Sequence, residues 1–350
     1  MTTETSFGCE IVGGGIMRRM AHIKFLHSYE DIISIENLLN AWQEFMEGKR
    51  NRRDVQEFQF RLTDNILALH YCLKNKTYIH GPYEAFKIND PKSRDIHKAT
   101  VRDRVLHRAL YRRLYPFFDR TFISDSYSCR LRKGTHKVLR RFHSMAYRVG
   151  KNNTRQCFVL KCDIRKFFAS IDHEILLVIL QKRIPDADIM ELIRKIVDSF
   201  HSTKEGVGLP LGNLTSQLFV NIYMNEFDQF VKHKLKARQY IRYADDFVIF
   251  SHDKNWLAKI VRYIAQFLRT KLRLSLHPNK VSIQTLASGI DFLGWVHFPD
   301  HRVLRTSTKR RMLRTLAENE RRNDVVRSYV GLLKHGNAQK IKRKIESDMI

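Results

Sequence analysis

From Ser34 to Leu73 apolar residues recur at helical spacing, as in "SIENLLNAWQEFM" and "RLTDNILALHYCL", so helices joined by a basic connector are expected. Ser34 and Asn37 suit the start of the first. The pair Gly81-Pro82 in "YIHGPYEAF" cannot sit inside a helix and ends this region. "AFKIND" predicts a short strand and "DPKSRDIHKA" a basic turn or hairpin; helical spacing returns from Val101 to Phe118. The pattern then changes. "QCFVLKCDI", Gln156 to Ile164, is a β-type run, followed by helices from Asp172 to Leu180 and from Asp188 to Phe200. After the turn "EGVGLPLGN" a long helix is expected from Thr215 to Lys236. "YIRYA-DD-FVIFS" predicts two strands around a two-residue acidic tip, Asp245-Asp246. Helix resumes from Trp256 to Leu272, with short strands at "LSLHPNKVSIQ" and "IDFLGWVHF". Residues Arg302 to Ile350 read as helix. The irregular alternation between Phe158 and Phe298 predicts an α+β fold with a mainly antiparallel sheet.

Composition narrows the partner. The 350 residues are 43% hydrophobic, enough for a globular chain with a sizeable core. Lys and Arg number 63 against 36 Asp and Glu, a net +27 that points to a polyanion, nucleic acid before an anionic membrane. The segment 302–350 alone holds 14 Lys/Arg against 5 Asp/Glu, which suits contact with a phosphate backbone. No apolar run nears the roughly 20 residues that span a bilayer. The opening twenty residues lack the apolar core of a secretory signal, so a cytoplasmic protein is expected. Cys9, Cys72, Cys129, Cys157 and Cys162 are odd in number and form no CxxC pair, which argues against a zinc site or disulfide framework. The Gly13-Gly14-Gly15 run lacks the preceding strand of a phosphate loop and is expected to be a flexible tail.

Two adjacent carboxylates inside an apolar run need a reason, because buried charge is costly unless paired, hydrogen-bonded or metal-bound. Alone, Asp245-Asp246 fits a hairpin tip, where Asp favours turns. A second acid changes the weighing. "FVLKCDIRKFFASID" sets Asp163 at the end of an apolar strand, and if that strand lies beside the hairpin, Asp163 and Asp245 converge. Converging carboxylates suit Mg²⁺, which takes oxygen ligands and leaves room for substrate phosphates. Two such ions about 4 Å apart serve in-line phosphoryl transfer.

The ordered set "DPKSRDI", "DIRKFF", "GLPLGNLTSQ", "YADD", "HPNK" and "FLGW", followed by a basic helical segment, resembles a reverse transcriptase over residues 29–345. The resemblance implies a right-hand polymerase fold: fingers with N-terminal helices in 29–155 after a tail of 1–28, a palm in 156–298, and a basic helical thumb in 299–350. It implies that Asp163, Asp245 and the carbonyl of Ile164 hold two Mg²⁺ ions, for which Mn²⁺ can substitute, with Asp246 in support. It implies that Lys280 protonates the leaving pyrophosphate, and that Lys92 and Arg94 grip the triphosphate. Phe168 falls at the steric gate that excludes a 2′-hydroxyl, with Phe167 the alternative. Gly212 lets backbone approach the nascent pair, Gln217 contacts template or caps its helix, and Phe292, Leu293, Gly294 and Trp295 form the primer grip. Where most bacterial and intron enzymes carry QGxxxSP, this chain reads Leu211-Gly212-Asn213-Leu214-Thr215-Ser216-Gln217. That departure resembles the reverse transcriptases of diversity-generating retroelements, which copy a template-repeat RNA into cDNA with errors at template adenines. The expected partners are template RNA, cDNA or primer, dNTP and a small basic pentameric accessory protein. A retron-like or intron-type reverse transcriptase, and a catalytically idle RNA-binding scaffold, remain the alternatives.

Overall fold

The computed structural model describes residues 23–89, 93–318 and 323–347. The triple-glycine run and Cys9 lie outside these residues, as does Lys92. The N-terminal part is helical: α1 (Tyr29–Ile33), α2 (Ile35–Met46), α3 (Arg53–Phe60) and α4 (Leu62–Lys74). Ser28 and Asp31 form a reciprocal capping box, and Ser34 Oγ accepts from the Asn37 N–H, so consecutive short helices each begin on a serine. The tail expected through residue 28 gives way earlier. Phe25 is buried, and its N–H donates to the Arg183 carbonyl at 2.8 Å.

Strands β1 (Glu84–Ile88) and β2 (Arg94–Lys98) form an antiparallel pair, Ile88 opposite Arg94. α5 (Val101–Asp119) follows, opened by Thr100, whose hydroxyl accepts from the Asp103 N–H. Its arginines are less solvated than the sequence suggests. Arg104 meets Asp54 at 2.6 Å, Arg112 pairs with Glu44, and Arg113 donates to the Asp31 carbonyl, so acids and carbonyls of the N-terminal region absorb much of the charge.

The centre is built on α6 (Thr135–Val149), β3 (Phe158–Asp163), α7 (His173–Gln181), α8 (Ala187–Val197), α9 (Leu214–Gln229), β4 (Tyr240–Tyr243), β5 (Asp246–Ser251), α10 (Lys254–Leu272) and β6 (Ser282–Thr285). α9 runs on into a π-helical turn, Phe230–Lys234. The sheet order is β4-β5-β3-β6, antiparallel throughout. Period-2 alternation sends β3 and β5 side chains to opposite faces. Leu160, Cys162, Phe247 and Ile249 join the main core with residues of α7 to α10. Val159, Val248 and Phe250 join a second core with Val138, Phe142 and Met145 of α6.

A separate three-stranded sheet, β7 (Ile290–Phe292), β8 (Trp295–His297) and β9 (Arg302–Leu304), leads to helices α11 (Thr306–Glu318), α12 (Asn323–Leu333) and α13 (Gln339–Ser347). β9 corrects the expectation of continuous helix from Arg302 and carries the sheet past residue 298. Three residues are too few to show a period, and the open edge of β8 recruits them. Trp295 is buried among Leu304, Met312, Leu316 and Leu333, in a third core that fixes the C-terminal helices to this sheet.

Candidate active site

Asp163 ends β3 and stands directly opposite Asp246, the first residue of β5. The hairpin tip is Ala244-Asp245, with Ala244 at φ 55°, so the two-residue turn lies one position earlier than expected and Asp246 belongs to the strand. Pairing with β3 decides this, since it extends through Asp246. The Ile164 N–H donates to the Asp245 carbonyl at 3.2 Å, which ties the tip to the residue after Asp163. The two strands therefore bring Asp163, Ile164, Asp245 and Asp246 together.

The charges in this cluster perturb each other. Burial pushes the Asp245 carboxyl up, and the Asp163 charge adds to it, while Lys280 and Arg94 oppose. The Asp246 carboxyl is pushed up to about 6, by burial first and by Asp245 next, with Lys161 opposing. Buried like charges favour a shared proton or a cation. Here the nearest cation is Lys280, whose Nζ donates to Asp163 Oδ2 at 2.8 Å. The His277 N–H donates to the Asp163 carbonyl at 2.8 Å, so the turn carrying Lys280 hangs from the carboxylate strand itself. Among the described residues no three His, Cys, Asp or Glu side chains form a ready-made metal cage.

The segment before α9 locks onto β2. The His97 N–H donates to the Leu211 carbonyl at 3.1 Å, and Asn213 Nδ2 donates to the His97 carbonyl at 3.2 Å. Gly212 has φ +112°, and a Cβ there would lie 2.9 Å from Ile96 Cγ2, so both conformation and space require glycine. Arg94 opens β2, near enough for its charge to act on Asp245. Leu211 is half-buried. Gln217, one turn into α9, lines a cleft of ≈ 710 Å³ with Tyr111, Tyr115, Arg130 and Tyr243.

The two phenylalanines after Asp163 part ways. Phe167 is 4% exposed and belongs to the main core, whereas Phe168 is half-buried, with its carbonyl accepting from the Leu209 N–H at 2.8 Å. In "FLGW", Phe292 and Trp295 face each other across the turn and are buried in two different cores. Leu293 (φ 51°) and Gly294 (φ 83°) form the two-residue tip. Both angles are positive, as a type I′ hairpin requires. Only this tip is left to meet a ligand.

Sequence reasoning passed over Arg242. It is fully buried on β4 and makes a bidentate pair with the buried Asp228 (Nε to Oδ1 2.8 Å, Nη2 to Oδ2 2.7 Å). Its Nη1 donates to the Ala244 carbonyl at 3.1 Å, holding the hairpin tip from below. Nη2 also donates to Ser126 Oγ, and Tyr240 Oη donates to Asp228 Oδ1. The signal was present in "YIRYADD": an arginine in a buried strand needs an acid, and Asp228 near the end of α9 supplies it.

Comparison with known proteins agrees with the geometry. The family model described as reverse transcriptase (RNA-dependent DNA polymerase) matches residues 87–297, more than half of the chain. Protein YkfC of Escherichia coli is 27% identical over 308 residues, covering 75% of this chain and 76% of its own. The group II intron-encoded protein LtrA of Lactococcus lactis is 23% identical over 323 residues, covering 71% of this chain and 51% of its own. A putative COX1/OXI3 intron 2 protein of Saccharomyces cerevisiae is 22% identical over 209 residues, covering 41% of this chain and 24% of its own. The chain thus spans about half of the bacterial intron protein and a quarter of the yeast one. No helix among the described residues is long and apolar enough to cross a membrane.

Proposed function

From the premise that this chain belongs to the reverse transcriptase (RNA-dependent DNA polymerase) family and is an RNA-directed DNA polymerase, we propose that it is the polymerase of a diversity-generating retroelement. It copies a template-repeat RNA into cDNA with errors at template adenines, so that the cDNA diversifies a target gene. The single observation that carries this reading is "PLGNLTSQ", which puts Leu211 where a glutamine is usual, on backbone clamped to His97 of β2, the strand that Arg94 opens. Leucine offers no polar group to a nascent pair. A site that reads substrates through hydrogen bonds penalises a mismatch by leaving those groups unpaired, and an apolar side chain removes that penalty.

In this reading residues 29–155 are fingers, 156–298 a palm and 299–350 a basic helical thumb. The carboxylate cluster fits divalent cations: two half-buried acids with raised affinity for protons stand beside a buried third that already holds an ammonium. Asp163, Asp245 and the Ile164 carbonyl would hold two Mg²⁺ or Mn²⁺ ions, with Asp246 in support. Ions bound there lower the pKa of a primer 3′-hydroxyl and neutralise charge on the leaving pyrophosphate. The chain's own groups do the rest. Arg94 and Lys92 bind the triphosphate, Arg94 as a planar bidentate donor. Phe168, rather than the buried Phe167, closes the space a 2′-hydroxyl would need. Lys280 leaves Asp163 and gives its proton to the pyrophosphate. Gln217 faces the template side, and the Leu293-Gly294 tip holds the primer end. A small basic accessory protein completes the assembly.

The intron names of two relatives favour a second reading, an intron-type enzyme that copies adenine faithfully. Primer extension on a defined RNA template, with every cDNA sequenced, separates the two. The first reading expects errors concentrated opposite adenines, reduced by Leu211→Gln, and no cDNA from Asp245→Asn. Errors spread evenly over the four template bases would decide for the intron-type enzyme.

A further inference from the structure

Phe168 stands on a short 3₁₀ turn, Phe168–Ser170, just beyond the carboxylate strand. A turn of this length has few internal bonds to fix it. One neighbouring segment supplies others. The Leu209 N–H donates to the Phe168 carbonyl at 2.8 Å, and the Gly208 N–H donates to the Ile171 carbonyl at 2.7 Å. Ser202 Oγ lies within donating distance of the Ala169 carbonyl, at 2.8 Å, and of the Val207 carbonyl, at 3.0 Å. The Val207 carbonyl already accepts from the Ser202 N–H at 2.8 Å, so Ala169 is the better use of the hydroxyl proton. The carbonyls of Phe168, Ala169 and Ile171 thus all face donors from the one segment 202–209. Two of those donors are main-chain N–H groups. The third is a side chain, and it belongs to none of the motifs that carry the resemblance.

The loop around Ser202 is firmly closed. The His173 N–H donates to the Gly206 carbonyl at 3.0 Å. The His173 ring is buried, with Nε2 donating to the Gly208 carbonyl at 2.7 Å and Nδ1 standing 3.2 Å from Asp198 Oδ1. Gly208 has φ +107°, and a Cβ there would lie 2.6 Å from Ser202 Cβ, so this glycine is what leaves the serine room. The segment then runs through the buried Leu209 and Pro210 to Leu211, whose carbonyl accepts from His97 of β2. The backbone that braces Phe168 and the backbone that carries Leu211 are therefore one stretch of chain.

We propose that Ser202 is a positioning residue for sugar selection: its hydroxyl, on the Ala169 carbonyl, fixes how far the Phe168 ring stands into the space of a nucleotide's 2′ position. This rests on the reading of Phe168 as the steric gate and adds what holds the gate in place. A ring excludes a hydroxyl only while it cannot retreat. Losing the Ser202 hydroxyl cheapens retreat by about one neutral hydrogen bond, so discrimination should fall about fivefold, with the two main-chain bonds preserving the rest.

Single-nucleotide primer extension by the full chain, with dCTP or CTP opposite a template guanine, gives the ratio of the two kcat/KM values. Ser202→Ala should lower that ratio about fivefold, through faster use of CTP. Phe168→Ala should lower it further. Ser288→Ala removes a comparable bond on another loop, Ser288 Oγ to the Thr285 carbonyl at 2.7 Å, and should leave the ratio as it is. An unchanged ratio in Ser202→Ala beside a relaxed one in Phe168→Ala overturns the role of Ser202 and leaves the gate standing. An unchanged ratio in Phe168→Ala overturns the gate reading, and the proposal with it. Equal relaxation by Ser202→Ala and Ser288→Ala also overturns the proposal, by making lost sugar selection a general result of loosened loops.

Discussion

Replacing Arg242 by methionine tests the support beneath the acidic hairpin. The substitution leaves Asp228, 0% exposed, without its bidentate partner, and leaves the Ala244 and Ser126 acceptors unfilled. Removing one member of a buried ion pair costs about 3–5 kcal/mol, because the remaining charge is neither solvated nor matched. For a chain of this size that corresponds to a fall in Tm of roughly 4–7 °C. Tyr240 still donates to Asp228, which argues for the lower half of the range. Arg242→Met/Asp228→Leu removes both charges and should regain most of the loss, since well-packed apolar replacements of buried pairs are often neutral. Activity should not return with it. The Ala244 carbonyl would still lack its donor, so the tip that carries Asp245 would keep the strand ladder and the Ile164 N–H but lose its support from beneath. Arg242→Lys keeps the charge and loses the fork, and should fall between the two in stability. Thermal unfolding and single-nucleotide primer extension, run on all three variants, give the two readouts. A double variant that recovers extension along with stability would refute the positioning role and leave Arg242 a matter of packing alone.

The raised Asp246 carboxyl makes the metal-free protein pH-sensitive. Its folded pKa of about 6 lies above the ordinary aspartate value of 3.8, so the folded state binds the extra proton between those values. This group therefore destabilises the fold as pH rises from about 4 to 6, and the full penalty is present above 6. In EDTA, Asp246→Asn should raise Tm at pH 7.5 and leave it little changed at pH 4; an equal shift at both would contradict the burial and like-charge account. Gly336→Ala should loosen the C-terminal helices, because the Trp295 ring it would strike is buried and cannot yield. Overpacking of this kind costs about 1–3 kcal/mol. Limited proteolysis should then cut within 306–347 while the four-stranded sheet stays protected, and an unchanged digestion pattern would count against the packing described here.

Much of this was legible in the sequence because β3 and its neighbours are buried on both faces and show as plain apolar runs. The convergence of Asp163 with the hairpin acids followed from one assumption about strand pairing. The exact turn did not. Aspartate favours turns, which pointed to Asp245-Asp246, but β3 recruits Asp246 into the ladder and forces Ala244 into a positive φ. β9 stayed hidden because an exposed sheet edge, not local propensity, makes those three residues a strand. The long helix past Thr215 and the basic helix from Val101 were visible in spacing alone, yet the latter's internal ion pairs depend on Asp54 and Glu44, some fifty residues away or more. Arg242 and Asp228 were missed because neither has meaning without the other.

The alternating faces of β3 carry a consequence for how this chain can change. Leu160 and Cys162 point to one core and Val159 to the other, so the strand has one tolerable register, and a slip by a single residue would exchange both sets. Asp163 ends that same strand. Its aim is therefore not adjusted locally but inherited from four or five hydrophobic neighbours that never touch a nucleotide. Loops around the carboxylates are free to drift and alter what is copied and how faithfully. The line along which bonds are made is written into the packing, and it can be lost by a change of volume at Val159 as surely as by a change of charge at Asp163.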